Sequence, residues 1–183
     1  MPSPIAHLAA GYVLYRLVRR YEPEPKLPPV GPVSGVLLVT AVFSTLPDVD
    51  SIAGLLARDF GRFHNNATHS LIVGLGVSLL FAVLMRWRRG RGFLYWFSVA
   101  AASYSLHIFM DAATVSRGVM ALWPLTDTRF LAPVTIFYGL HWSDGWISVR
   151  HLWTLLTELL FAGLLFGLLR LSPRLAGSRK SVA

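Results

Sequence analysis

The sequence predicts an all-α fold, a polytopic membrane helical bundle of about five apolar helices with a long outer loop. Of its 183 residues, 54% are hydrophobic and only 14% are charged, whereas soluble proteins carry roughly 25% charged residues. The mean hydropathy is +0.54. A single domain of this size cannot hide so much apolar surface inside itself, so part of that surface must face lipid.

Five apolar segments follow one another along the chain. The first is short and is expected to enter the bilayer only in part, whereas each of the others has the roughly 20 residues that a spanning helix needs. Each spanning segment must satisfy its own backbone hydrogen bonds in lipid, which favours helix throughout. Thr68 or Ser70 is placed to cap the third helix. The predicted segments are 4–18, 33–56, 68–87, 93–114 and 151–171.

Two polar, basic links and a basic tail from Arg170 flank these segments. The link 21–32 is rich in proline, and the link 86–91 is strongly basic. The stretch 115–150 is rich in aromatic residues, proline and glycine, and a loop of that length usually serves as a lid or a binding loop. We therefore predict one membrane-embedded domain, 1–183, which ends in a basic cytoplasmic tail, 172–183.

The basic residues predict the orientation of the helices. With the N-terminus outside, 12 of the 17 lysines and arginines lie inside, as the positive-inside rule requires. The C-terminus is then cytoplasmic, and the chain is a multi-pass protein of the inner (plasma) membrane. No basic region precedes the first apolar segment, so a cleaved signal peptide is not expected. The net charge of +8 belongs to these flanking runs, so no nucleic-acid partner is expected.

Histidines and aspartates gather on the outer side. All six histidines fall there in this topology. Ionisable groups within apolar segments are costly and usually mark function. The chain has no cysteine, so a metal would be held by nitrogen and oxygen ligands, which suit Zn²⁺, with Mn²⁺ or Fe²⁺ as alternatives. The predicted ligands of one or two ions are His7, Asp48, Asp50, His64, His69, His107 and Asp111.

Residue spacing supports part of this set. His107 and Asp111 are four residues apart on a predicted helix, so both side chains leave one face. Asp48 and Asp50 follow Pro47, where the helix is expected to break. One of them could bind metal while the other orients a ligand or activates water. Taken singly, each pair also has an ordinary explanation, as a helix-surface ion pair or as a helix N-cap.

The long outer loop contributes the predicted substrate-binding residues. Arg117 and Arg129 could hold a phosphate, and Trp123 could bind substrate while it seats the loop in the headgroup layer together with Trp142 and Trp146. Four further polar residues are left open. They are His141, Asp144, His151 and Glu158, of which Glu158 is interpreted as a protonated glutamate bonded to a neighbouring helix, with a site carboxylate as the alternative.

The order of these motifs resembles that of the YdjM-like inner-membrane proteins, which are described as metal-dependent hydrolases. The resemblance covers about residues 1–135, from Ala6-His7 to Leu122-Trp123-Pro124. A more distant likeness is to the zinc-dependent phospholipase C and nuclease group, which cleaves phosphate esters with a zinc cluster. That likeness implies ligands at His7, Asp48 or Asp50, His64 or His69, His107 and Asp111, with Asp111 bridging two ions.

These observations predict a membrane-bound metal-dependent hydrolase that acts at the outer membrane–water interface. The substrate would be a phosphoester such as a phospholipid or a lipid-linked phosphate, and the partner would be membrane lipid. Asp48 and Asp50 are the predicted catalytic residues, with the one that does not bind metal acting as general base. The alternatives are a metal transporter or sensor, and a non-catalytic protein in which a metal ties helix ends together.

Overall fold

The fold is all-α, as predicted. The computed structural model describes residues 2–24, 26–30, 32–140 and 148–171, and residues 60 and 61 by their backbone alone. Within these ranges there is no β-strand, only isolated bridges between loop residues. The α-helices are α1 (Pro4–Val18), α2 (Gly35–Thr45), α3 (Asp50–Leu56), α4 (Phe60–Phe63), α5 (Leu71–Arg89), α6 (Phe93–Ala112) and α7 (Arg150–Leu171).

Four helical stretches in the described residues are long and apolar enough to cross a membrane. They are Gly35–Leu56, Leu71–Arg89, Phe93–Ala112 and Arg150–Leu171. Helix α1, with 15 residues, is not among them, and its partial entry into the bilayer stays a prediction. The predicted cytoplasmic tail, 172–183, lies outside the described residues.

The second apolar segment is interrupted where the sequence predicts a break. Helix α2 ends at Thr45, a 3-10 turn covers Leu46–Val49, and α3 begins at Asp50. Pro47 has no backbone N–H and a fixed φ, so it stands in this turn rather than inside a continuous α-helix. The interruption turns two aspartates inward at the end of a span.

The hydrophobic core lies among α2, α5 and α6. Its large buried side chains include Phe43 of α2 and Trp96, Tyr104 and Ile108 of α6. Helices α5 and α6 form a hairpin whose turn uses positive φ at Gly90 and Gly92, a backbone region that costs other residues energy. This hairpin brings the start of α5 and the end of α6 to the same end of the bundle.

Helix α7 packs against α1 and is fastened to it by a buried carboxylate. Glu158 is 1% exposed, and it accepts hydrogen bonds from the Ser3 backbone N–H (2.5 Å) and from the Ser3 hydroxyl. Ser3 is also the N-cap of α1, so the Glu158 carboxyl group lies at the N-terminal end of that helix. Glu158 is thus bonded to a neighbouring helix segment, as in the interpretation preferred from sequence.

We expect Glu158→Ala to destabilise the bundle, because it leaves both donors of Ser3 without their acceptor. An unsatisfied buried polar group costs about 1–3 kcal/mol, so the midpoint of thermal unfolding in detergent should fall by several degrees. Glu158→Gln keeps one acceptor oxygen and should lose less. An unchanged midpoint in Glu158→Ala would contradict the contact with Ser3.

Candidate metal centre

Four segments deliver the predicted ligands to one end of the bundle. The 3-10 turn before α3 carries Asp48, and α3 begins with Asp50. Ser70 caps α5 by accepting from the backbone N–H groups of Ile72 (3.1 Å) and Val73 (3.4 Å), so α5 begins at Leu71. This confirms one of the two caps predicted from sequence and places His69 in the turn just before the helix.

The end of α6 supplies the pair predicted from helical spacing. His107 and Asp111 are both fully buried, and His107 Nε2 lies 3.6 Å from Asp111 Oδ2. The first turns of α1 bring His7 over this pair. The His7 ring stacks on that of His107 at 3.7 Å between centroids, and its Nε2 lies 3.5 Å from Asp111 Oδ1.

Four donor atoms converge on one point between these segments. His69 Nε2 lies 3.3 Å from His107 Nε2, 2.9 Å from Asp111 Oδ2 and 3.6 Å from Asp48 Oδ1. His107 Nε2 lies 3.5 Å from Asp48 Oδ1. Two ligands of a tetrahedral zinc ion, each about 2.0–2.1 Å from it, lie about 3.3 Å apart. The spacing of this set of two histidines and two aspartates therefore fits a metal ion.

Hydrogen bonds on the far side of the rings point both histidines at this set. His107 Nδ1 lies 2.8 Å from the Ser44 carbonyl oxygen, to which it can only donate. His69 Nδ1 lies 3.1 Å from Asp50 Oδ2. With the proton on Nδ1, each ring presents the lone pair of Nε2 to the cluster, and outer partners fix metal-binding histidines in this way.

Asp50, together with His64 and His69, forms a second group of side chains that could hold a metal ion. Its Oδ1 lies 3.0 Å from His64 Nδ1, and its Oδ2 accepts from the Thr68 hydroxyl at 2.7 Å. His64 Nε2 then points towards Asp111, 3.9 Å from its Oδ2. Both oxygens of Asp50 are thus engaged by side chains, whereas those of Asp48 make no hydrogen bond in the described part of the chain.

Unsatisfied buried atoms mark the same place. Neither ring nitrogen of His7, neither oxygen of Asp48 or Asp111, nor Nε2 of His64 has a hydrogen-bond partner among the described residues. Buried polar atoms nearly always have a hydrogen-bond partner, so a cluster of buried polar atoms without one needs an explanation. A cation bound among them would satisfy donor atoms that the protein itself leaves unpaired.

The charge of the cluster also favours a cation. Burial by itself lowers the pKa of the His69 imidazole, but the neighbouring carboxylates of Asp111, Asp48 and Asp50 outweigh burial and raise it well above its usual value. Three carboxylates packed against buried histidines therefore attract positive charge, which a proton or a metal ion can supply.

The loop carrying His64 is braced by two arginines of the long loop. Arg117 donates to the His64 carbonyl oxygen, and Arg129 donates to the Asn65 carbonyl (3.1 Å) and to the Asn66 side-chain oxygen (2.5 Å). Burial and the neighbouring charge of Arg117 lower the pKa of Arg129. The predicted substrate-binding arginines thus lie beside the cluster and support its backbone.

Other predicted residues have different outcomes. Trp123 precedes a cis proline, and its carbonyl oxygen accepts from the Ser70 hydroxyl at 2.6 Å, which ties the long loop to the start of α5. His151 lies in the first turn of α7 and belongs to neither His/Asp group in the described residues. The predictions for His141, Trp142, Asp144 and Trp146 concern residues outside the described ranges.

Two supporting groups were missed from sequence. The Ser44 carbonyl oxygen that holds His107 carries no sequence signal, because every residue has a carbonyl group. Thr68 was considered only as a helix cap, whereas its hydroxyl bonds Asp50 and its carbonyl oxygen accepts from Tyr104 at 2.5 Å. The position of Thr68, next to His69 in a turn before a helix, was the available clue.

Two comparisons with known proteins return inner membrane proteins. Residues 1–179 match the family model described as YdjM inner membrane protein. The chain is 26% identical over 143 residues to the inner membrane protein YbcI of Escherichia coli (strain K12), an alignment that covers 72% of this chain and 83% of YbcI. No solved structure matches.

Proposed function

The chain belongs to the YdjM inner membrane protein family, and from that premise and its His/Asp cluster we propose a membrane-embedded metal-dependent hydrolase. The bond cleaved is a phosphoester, and the substrate is a phospholipid or a lipid-linked phosphate. The protein is a multi-pass inner membrane protein, in keeping with its four apolar spans and its relative YbcI. The cluster is proposed to lie on the outer side, with the C-terminus cytoplasmic.

One observation carries the proposal. Buried donor atoms of Asp48, His69, His107 and Asp111 all lie within 4.8 Å of one another, and three of these residues are fully buried. Nitrogen and carboxylate oxygen donors suit zinc best, with manganese or iron next. Asp111 presents Oδ1 to His7 and Oδ2 to the other histidines, so a second ion is also compatible with the donors.

The chain's own residues divide the work of hydrolysis. When bound, the metal supplies Lewis-acid polarisation of a phosphoryl oxygen and lowers the pKa of water. Asp48 has the most exposed side chain of the three aspartates, at 13%, although both of its carboxylate oxygens are buried. Its Oδ1 lies nearest the histidines, which leaves Oδ2 to accept a proton from water.

Several elements hold these groups in place and screen them from water. Asp50 and the Ser44 carbonyl set the imidazole orientations, and Arg117 and Arg129 favour an anionic phosphate beside the loop that they brace. His107, Asp111, His69 and His7 have no exposed surface, so electrostatic interactions inside the cluster are little screened.

The proposal is tested on purified protein by elemental analysis joined to a hydrolysis screen. We expect a bound transition metal and metal-dependent release of product from a phospholipid or a generic phosphodiester. If the protein binds metal and unfolds when a chelator removes it, but hydrolyses no substrate, the cluster has a structural role instead. Metal-dependent ion flux in liposomes would favour a transporter.

A further inference from the structure

Helix α7 provides a measure of depth in the membrane. Its 22 residues span about 33 Å, close to the roughly 30 Å of a bilayer's hydrocarbon core. Its first turn is already apolar on the outside, with Leu152 and Trp153 64% and 58% exposed. Glu158 lies eight residues after Arg150, about 12 Å along the helix, and bonds Ser3 at the start of α1. The first turn of α1 is therefore well inside the span of α7.

The long loop meets α7 at a similar depth. We call its described part, residues 113–140, the cap. The Thr154 hydroxyl donates to the Gly139 carbonyl oxygen at 2.7 Å, and the Tyr138 N–H donates to the Thr157 hydroxyl at 3.4 Å. Thr154 and Thr157 are about 6 and 10 Å along α7 from its first residue. The end of the cap, at Tyr138 and Gly139, thus lies beside the first two turns of a spanning helix.

The cap exposes several large apolar side chains, beside polar ones such as Asp127. Leu125 is 80% exposed, Leu131 57%, Val134 66% and Ile136 52%. Soluble proteins rarely display large contiguous apolar patches unless something covers them. Exposed apolar side chains on a spanning helix are explained by contact with lipid. The cap is not a spanning helix, so its exposed apolar side chains need another explanation.

Hydrogen bonds to protein satisfy part of the cap backbone. Ala132 and Ile136 donate their N–H groups to the carbonyl oxygens of Ala112 and Ala113 (both 2.8 Å), and Val115 donates to Phe137 (3.1 Å). Irregular backbone is tolerated at membrane depth only where such partners exist.

We infer that the end of the cap, residues 131–139, is immersed in the lipid leaflet on the cluster side, with phospholipid acyl chains against Leu131, Val134 and Ile136. Val119 and Phe137 of the cap are 1% exposed, and Met120 donates its N–H to the Asn65 carbonyl oxygen, so the cap packs against the loop that carries His64. The cluster is then approached from the lipid phase. If the proposed hydrolase function holds, on which this consequence rests, the substrate is a lipid that brings its phosphate headgroup sideways from the leaflet.

Site-specific fluorescence tests the immersion directly, because the chain has no native cysteine. Leu131→Cys and Val134→Cys are labelled with an environment-sensitive nitrobenzoxadiazole dye in phosphatidylcholine–phosphatidylglycerol vesicles. Leu80→Cys, on the exposed face of α5 (71%), is the lipid-facing reference, and Glu24→Cys, on the polar link, is the aqueous reference.

We expect both cap positions to resemble Leu80→Cys. Their emission should be blue-shifted relative to Glu24→Cys, and quenched several-fold more by nitroxide-labelled lipid than by iodide in the buffer. Emission and iodide quenching equal to those of Glu24→Cys would overturn the inference. The readout needs neither metal nor turnover, so a protein that hydrolyses nothing can still show an immersed cap, and an active enzyme can still show an exposed one.

Discussion

Replacing Asp111 with alanine is expected to remove bound metal and hydrolysis together. Its two oxygens lie 3.5 Å from His7, 2.9 Å from His69, 3.6 Å from His107 and 3.9 Å from His64, so this one carboxylate is shared by four imidazoles. Loss of an outer partner of a metal site typically weakens it about 10–100-fold, and loss of a ligand should exceed that range. Elemental analysis of the purified variant should find metal near background.

His107→Ala should have the same effect, since its Nε2 is a second member of the set. Two matched controls distinguish loss of metal at the cluster from a general effect of removing a carboxylate or an imidazole. Asp127→Ala removes an exposed carboxylate from the cap, and His151→Ala removes a histidine outside both groups; both should retain full metal content. Wild-type metal content in Asp111→Ala and His107→Ala would show that the cluster is not a metal site.

The helices and much of the cluster follow from local sequence. The lengths of the apolar segments predict the ends of α1 and α6 to within a few residues. The four-residue spacing of His107 and Asp111 places both side chains on one face of α6, whatever the tertiary contacts are. Pro47 marks the end of α2 because its effect on the helix is a property of the residue itself.

What sequence could not provide depends on how segments far apart in the chain meet. The stacking of His7 on His107 joins residues 100 positions apart, and the Ser44 carbonyl becomes a partner of His107 only after α2 packs on α6. The cap was predicted as a loop, but its depth beside α7 rests on contacts such as Thr154 with Gly139. Local patterns contain no information about these distances.

The two aspartates of Leu46–Asp50 look equivalent in sequence, and we expect them to differ sharply when mutated. Asp48 Oδ1 lies near His69 and His107 with no hydrogen bond, as a ligand would. Asp50 is held by His64, His69 and Thr68, as an orienting group would be. Asp48→Asn should therefore lose metal and activity, because a neutral amide is a poorer ligand and cannot accept a proton from water.

Asp50→Asn should keep the metal but hold it about 10–100-fold more weakly, the usual cost of losing an outer partner of a ligand. Asparagine has one acceptor oxygen, so it can hold only one of the two Nδ1–H groups that the carboxylate now faces, and the other imidazole is free to turn. Titration of the metal-free protein with Zn²⁺, followed by competition with a chelator, measures the difference.

Thr68→Val gives a graded comparison. It removes one donor to Asp50 and leaves the backbone carbonyl that accepts from Tyr104, so its loss of affinity should be smaller than that of Asp50→Asn. Asp59→Asn, which alters the exposed carboxylate capping α4, should bind Zn²⁺ like the wild type. If Asp50→Asn binds no metal while Asp48→Asn binds it normally, the roles are exchanged: Asp50 is the ligand, and the unbonded oxygens of Asp48 serve only the proton transfer.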